Sequence, residues 1–595
     1  LNVQACGLKS HRTSPVRAKA PSPGQHPGYW QHLAMRPVRA KASISIKTMN
    51  KMNNLKFKHI LFASALMASM SATAQETYLD TKFAENSLTG TARYVGMGGA
   101  MEALGADIST MSSNPAGIGL FRKSMVSLSA GVVAQPDADT RFSFDNTPIS
   151  FNGKKSVPSF DQIGFVWAGG DNSAGVKINA GFNFHKSTNF SQILTAANYL
   201  NGASQTKWAS AKTAYAKDLD KKYGKDAGDQ VWSAVDANYN KLMGTDDQGN
   251  QSTYDGKSFL YGQYQKGYIG VYDFNLSLSF NNRVWVGFTL GLHDVHYRNN
   301  SFYTENYVAD KDAYGSAWES QRITGTGYDA KLGIIFRPVA DSPFRIGAYV
   351  NSPVFYDLSL SGAADLELTD KNIVDDRGNY AVGSNSNSVD LDYRLNTPWK
   401  AGVSLGHTVG NYLALGATYE YAWYDHMDNR VKDGGYYDSW YGDYYETSSS
   451  YAAMNDHPKH SLQGVSTLKL GLEYKPIPLM SLRLGYNYVS PMFKETADRD
   501  QTIASQGTIY STSTDYTNWK ATNRVTAGVG FNYQSLFFDV AYQYSCQKGD
   551  FYPFAAWENV GAKAAPATSV DNNRHQLLMT VGYKFQNVLI FTTFF

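Results

Sequence analysis

The sequence predicts an all-β protein, a 14-stranded antiparallel transmembrane β-barrel, on three observations. Apolar and polar residues alternate in segment after segment. No apolar run beyond residue 74 reaches the length of a membrane helix. Tight connections alternate with long ones along the chain. A spanning helix needs about 20 consecutive apolar residues; without one, only a closed barrel satisfies its backbone hydrogen bonds inside lipid.

Composition agrees. Hydrophobic residues make up 43% and charged residues 18% of the 595, with 41 Tyr, 30 Phe and 52 Gly. Typical soluble domains carry about 25% charged residues. The mean hydropathy of −0.38 is nonetheless polar, as expected where one side of each strand meets lipid and the other a wet lumen. Cys6 and Cys546 are the two cysteines; Cys6 lies in the leader, which leaves no pair for a disulfide and no metal pattern.

The N-terminus reads as a leader. Lys51, Lys56 and Lys58 precede the apolar run 60–70 and the small-x-small Ala72-Thr-Ala74, the three parts of a secretory signal peptide over 49–74. Cleavage after Ala74 makes Gln75 the mature start. Residues 1–48 repeat Pro-Val-Arg-Ala-Lys-Ala at 15–20 and 37–42 and read as an over-extended gene start, with a basic targeting extension as the alternative. Residues 1–74 hold eleven of the 54 Lys+Arg and none of the 51 Asp+Glu, so the remainder carries −8 rather than +3. The apparent basicity belongs to the leader, and no nucleic-acid partner is expected.

The strands follow. Phe274, Leu276, Leu278 and Phe280 alternate with Asp273, Asn275, Ser277 and Ser279; Leu482, Leu484, Tyr486 and Tyr488 alternate with Arg483, Gly485 and Asn487. Period two places each set on one face. Strands are expected near 123–135, 159–169, 174–186, 268–281, 283–297, 327–338, 342–362, 386–408, 411–425, 462–475, 479–490, 520–533, 535–547 and 574–585, the barrel domain running from 123 to 595. Tight turns fall at 170–173, Asn282, 339–341, 409–410, 476–478 and Gln534. Long loops fall at 136–158, 187–267 (partly helical over 199–243), 298–326, 363–385, 426–461, 491–519 and 548–573. Bacterial barrels segregate loops in this way, with the short side periplasmic. The 436–451 loop concentrates Tyr436, Tyr437, Trp440, Tyr441, Tyr444 and Tyr445. They read either as an aromatic rim at the membrane interface or as a capture surface for an apolar ligand.

Residues 75–122, ahead of the first strand, are too long for an ordinary tail. They contain Gly96-Met-Gly-Gly-Ala100 and Asn114-Pro115-Ala116-Gly117, by itself a turn signal. In context the latter resembles the Asn-Pro-Ala motif of the outer-membrane long-chain fatty-acid transporter family (the FadL and TodX proteins). Gly325-Thr-Gly-Tyr-Asp-Ala-Lys-Leu-Gly-Ile-Ile-Phe-Arg-Pro338, Phe344 to Ser352 and Leu395-Asn-Thr-Pro398 are similar to further family segments in the same order. The resemblance implies that 75–122 is a hatch plugging the lumen of a monomeric barrel lying in outer-membrane lipid. It also implies passive uptake of hydrophobic small molecules such as fatty acids, with lateral exit at a kinked third strand. That strand contains Gly175 and Gly181, either of which permits a kink; glycine is also simply common in barrels.

Competing functions are a non-specific or structural barrel and an outer-membrane enzyme. No Gly-x-Ser-x-Gly elbow or His-Glu-x-x-His helix occurs, so no catalytic residue, cofactor or metal is expected. His293 and His296 sit on opposite faces of one strand; His457 and His460, in a loop, leave a haem-binding receptor as a further alternative. The 586–595 stretch continues past the final strand, as a shifted strand or an added tail.

Overall fold

The computed structural model describes residues 77–585 except 86, 172–174, most of 234–250, 309–312, 375–379, 501–510 and 557–561. The expected leader (1–48 and 49–74) and the 586–595 stretch lie outside the described residues. No described helix is long and apolar enough to cross a membrane; the crossing is done by strands.

Among the described residues twenty paired segments form one sheet, and they make fourteen traverses. The first six are β1 (Met125–Ala134), β2 (Ser156–Asp171), β3 (Val176–Asn189, resumed as Gln192–Tyr199), β4 (Gly256–Phe280), β5 (Val284–Tyr307) and β6 (Tyr314–Phe336). Four broken traverses follow. They are β7 (Arg345–Asn351 and Phe355–Val374), β8 (Tyr380–Asn396 and Lys400–Val409), β9 (Leu413–Ala422 and Asp428–Asp438) and β10 (Asp443–Ser450 and Val465–Ile477). The last are β11 (Met480–Val489), β12 (Tyr516–Tyr533), β13 (Leu536–Tyr552) and β14 (Thr568–Asp571 and Arg574–Lys584). Neighbours are antiparallel, and β1 pairs with β14 from Met125↔Lys584 to Ala134↔His575, closing the barrel.

The alternation places the large apolar side chains outside. Phe274 and Leu276 on β4, Leu290 and Leu292 on β5, Leu332 and Ile334 on β6, and Met579 and Val581 on β14 are all exposed, while Asp273, Ser277, Thr289, Lys331 and Thr580 between them are buried inside. This apolar girdle and closed ladder make the chain an outer-membrane β-barrel. Tight turns collect at one end. At the β4–β5 turn Asn281 and Asn282 both take positive φ (49° and 51°), the geometry of a two-residue hairpin loop.

All fourteen expected strands are present, but several expected loops are not loops. Most of 298–326 continues the β5–β6 ladder as far as Asn306↔Tyr314, and 363–385 likewise extends β7 and β8. Above the lipid neither face of a strand need be apolar, so period two fades from the sequence although the backbone keeps pairing. The expected helix is α3 (Gln205–Tyr223), capped by the Ser204 side chain accepting from Lys207 N. It packs through Trp208 and Ala209 on a cluster that includes Phe259, Tyr303, Tyr307 and Phe551. Two short helices precede β1, α1 (Thr77–Ala84) and α2 (Ala92–Gly96); α4 (Ala452–Ser461) interrupts β10.

Candidate functional site

The described residues of 77–121 lie inside the lumen, and the wall is shaped to take them. Gly406, Gly416, Gly471 and Gly485 stand side by side across β8 to β11. A Cβ on these residues would sit 2.9 Å from Leu104 N, 2.0 Å from Ala100 O, 2.4 Å from Met97 O and 2.1 Å from Gly98 N respectively. The glycine row is therefore a seat on which the backbone of Gly96-Met-Gly-Gly-Ala100 lies flat. Gly287 and Gly333, paired across β5 and β6, do the same for Asn114 and Pro115: their Cβ atoms would fall 2.3 Å from Pro115 C and 2.0 Å from Asn114 Oδ1.

The Asn114-Pro115-Ala116-Gly117 motif is buried and docked. Asn114 Oδ1 accepts from Ala116 N (3.2 Å), and Pro115 O accepts from Ser277 Oγ (2.8 Å) and Asn275 Nδ2 (3.3 Å) on β4. Gly117 packs against Thr110, whose Oγ1 lies 2.5 Å from where a Cβ would stand. Pro at the start of this short helical turn costs no backbone bond, since that N–H would have no partner.

Charge clamps complete the seating. Glu473 on β10 takes Arg93 Nε at 3.0 Å and Arg483 Nε at 2.7 Å. Glu102 meets Lys469 Nζ at 2.8 Å. Ser112 Oγ donates to Asp273 (2.6 Å), which with Asp329 holds Lys331. At the barrel seam Thr580 Oγ1 on β14 accepts from Ala92 N (2.7 Å) and bonds Ser129 Oγ on β1 (2.8 Å). Breaking one side of a buried pair costs about 3–5 kcal/mol, so this part of the hatch is fixed.

Above the clamped part, α1 roofs one side of an inner cavity of about 190 Å³. Tyr78 stacks on Phe493 (4.7 Å between ring centres) and Phe83 meets Phe190 and Tyr297 edge-on. Lys82 Nζ donates to Tyr297 Oη (3.1 Å), and burial pushes its ammonium down to about 8. The cavity wall mixes Leu79, Leu194, Leu360 and Met492 with the cations Arg524 and Arg574 and the acids Glu85, Asp161, Glu319 and Asp515. Those arginines flank Ser545 in one row across β12, β13 and β14, roughly 10 Å apart at strand spacing. Arg524 is 7% exposed and donates to Asn487 Oδ1 (2.9 Å). Arg574 donates to the carbonyls of Asn189 and Ser191 (both 3.0 Å). Among the described residues neither has a carboxylate within 4.0 Å.

The third traverse is broken beside this cavity. The β2–β3 ladder ends at Gln162↔His185, while β3 goes on pairing with β4 through a shift between Lys186 and Thr188. The hatch holds the break: Ser87 N donates to Ser187 O (2.9 Å), Thr89 Oγ1 to Lys186 O (2.6 Å), and Thr188 Oγ1 to Glu85 O (2.8 Å). Outside lies a groove of about 960 Å³ lined in part by Val157, Pro158, Lys186 and Ser191. Asn189 lines both the groove and the inner cavity. The irregularity is thus at Ser187. Gly175 (φ +73°) serves the turn entering β3, and Gly181 admits the Met111 side chain, whose Cε lies 2.0 Å from its Cβ position; the ladder runs unbroken through it.

The six aromatics sit together at the tip of the β9–β10 hairpin. Tyr436 pairs with Tyr445 and Tyr437 with Tyr444, Trp440 is 87% exposed, and none of the six lines the cavity or the groove. His293 is buried inside and His296 exposed outside. Both ring nitrogens of His457 are engaged, by Thr77 (2.8 Å) and Ser461 (3.1 Å). Sequence reasoning missed Arg524, Arg574, Asn189 and the Ser187 break. Nothing distinguishes an inward arginine, or Lys-Ser-Thr-Asn, from any other polar stretch of a barrel strand.

No protein-family model and no curated protein matches the chain. Among solved structures it is similar to a FadL homologue of Pseudomonas aeruginosa (13% identity, 84% of this chain and 99% of that one, TM-score 0.46). It is also similar to the toluene transporter TbuX of Ralstonia pickettii (14%, 84% and 99%, 0.41) and the toluene transporter TodX of Pseudomonas putida (13%, 84% and 100%, 0.42). The barrel assignment rests on the closed ladder and apolar girdle rather than on these likenesses.

Proposed function

We propose that the protein admits hydrophobic small molecules through the outer membrane, and that those carrying an anionic head, such as long-chain fatty acids, are its preferred cargo. The observation behind this is the inner cavity, where Arg524 and Arg574 stand in one row among Leu79, Leu194, Leu360 and Met492; the wall also carries Glu85, but among the described residues neither arginine has a carboxylate within 4.0 Å. Guanidinium groups bonded only to neutral acceptors keep further donors for a charged one, so such a wall suits a ligand that brings an anion. Asn189, which lines both cavity and groove, and the neighbouring Ser187 break mark where cargo would leave sideways, beside the Arg574 guanidinium. The exposed tyrosines of the β9–β10 tip offer a first landing surface. A non-specific porin fits less well, because the seated hatch fills the lumen below the cavity.

The test is uptake by the intact protein in cells, comparing labelled oleate with a neutral alkane of similar length. Charge-assisted hydrogen bonds contribute about 1.5–3 kcal/mol, so Arg524→Gln with Arg574→Gln should lower oleate uptake about tenfold or more while alkane uptake stays within about twofold. Equal losses for both, in a correctly inserted variant, would remove the anionic-head reading.

A further inference from the structure

Just above the apolar girdle, on the outside of β4, β5 and β6, three cations stand in one cross-strand row. Lys266 faces Arg298, and Arg298 faces Arg322. All three are exposed, and they share the outward parity of Tyr272, Leu292 and Tyr328 six residues below. Like charges directly opposite one another destabilise a strand pair. Among the described residues no carboxylate lies within 4.0 Å of any of the three; the acid two to four residues below them, Asp294, is paired with His296 at 2.9 Å. An uncompensated row of this kind calls for an anion from outside the chain.

The surroundings narrow the anion. The row edges the outer groove of about 960 Å³, and Lys154 and Lys186 line it too. Phe151, Val157 and Tyr268 give the same groove apolar surface. The hairpin Arg141–Phe144/Thr147–Ser150 covers the strands above, with Ile149 packed on Leu260 and Phe302. The groove is therefore roofed on the solvent side and borders the girdle on the other. Six residues of tilted strand place the row roughly 15 Å above the Tyr272–Leu292–Tyr328 level, and the long side chains reach down toward it. This is the headgroup layer of the outer leaflet, since the row lies toward the long loops.

We propose that Lys266, Arg298 and Arg322, with Lys154 and Lys186, bind the phosphate groups of an outer-leaflet glycolipid whose acyl chains lie along the girdle below. Arginine's planar fork suits phosphate oxygens, and a lipid alone supplies both an anionic head at this height and an apolar tail beneath it. The inference rests on the barrel and its register, and stands whether or not fatty acids are the cargo.

The experiment measures retention of lipid by the full-length protein in mild detergent. The probes are bisphosphorylated lipid A, the same lipid with its phosphates removed, and inorganic phosphate as competitor. Wild-type protein should hold bisphosphorylated lipid A at least about tenfold better than the dephosphorylated form. K266Q/R298Q/R322Q should lose that preference while keeping the heat-modifiable gel shift of a closed barrel, and the single variant R322Q should fall between. Equal retention of the two lipids by wild type, or an unaltered preference in the triple variant, overturns the proposal. Displacement of the lipid by millimolar inorganic phosphate overturns it too, because the site would then hold a free anion only.

Discussion

A glycine in a barrel wall is unremarkable until something touches it. Gly485 has the Gly98 amide 2.1 Å from where its Cβ would be, and backbone cannot step aside as a flexible side chain can. Gly485→Ala should therefore leave the barrel closed and displace the hatch, raising single-channel conductance to small ions in planar bilayers. Conductance equal to wild type would show that the seat tolerates a methyl group. The same residue marks the limit of legibility. Alternation in 482–488 placed Gly485 on an inward face, yet only its neighbours in register, Gly471 and Gly416, reveal a seat, and register is not written in the spacing of one strand. Asn114 and Pro115 were legible as a motif; their receptor, Gly287 and Gly333, was not.

At the scale of elements, β3 and the hatch depend on each other. Three hydrogen bonds join 85–89 to Lys186, Ser187 and Thr188, so the break in β3 is held open by a segment distant in sequence. Proline lacks the N–H that Ser87 gives to Ser187 O. Ser87→Pro with Thr89→Val should let β3 close toward β2 and lower uptake of any hydrophobic cargo, without altering barrel insertion. A matched variant, Asn189→Trp, should block the junction of cavity and groove directly. Undiminished uptake in both would rule out the sideways path. The helix α3 was readable from its composition, because Ala-rich, Pro-free stretches favour helix wherever they lie. The extended arms of β5 to β8 were not, because beyond lipid a strand is held by its partner's backbone more than by its own pattern.

For the whole molecule, the expectation concerns topology. Gly442 and Asp226 are exposed on the long-loop side, and Ala340 and Ile477 on the tight-turn side. Single cysteines at the first two positions should react with a membrane-impermeant maleimide on intact cells, and those at the last two only after the outer membrane is broken. The opposite pattern would invert the barrel and move the cationic row away from the outer leaflet. The fold was legible at this scale because short turns and alternation are imposed by lipid itself, which acts on every strand alike.

The Thr580 hydroxyl touches the hatch and the first strand at once, from the last strand of the barrel. The segment inside the barrel is bonded to the last strand by the same hydroxyl that bonds the last strand to the first. Thr580→Val removes both bonds at once and should loosen the inner segment and the seam together, read as raised ion conductance along with a lower temperature for loss of the heat-modifiable gel shift. One hydroxyl thus ties the closing of the wall to the seating of the segment inside it.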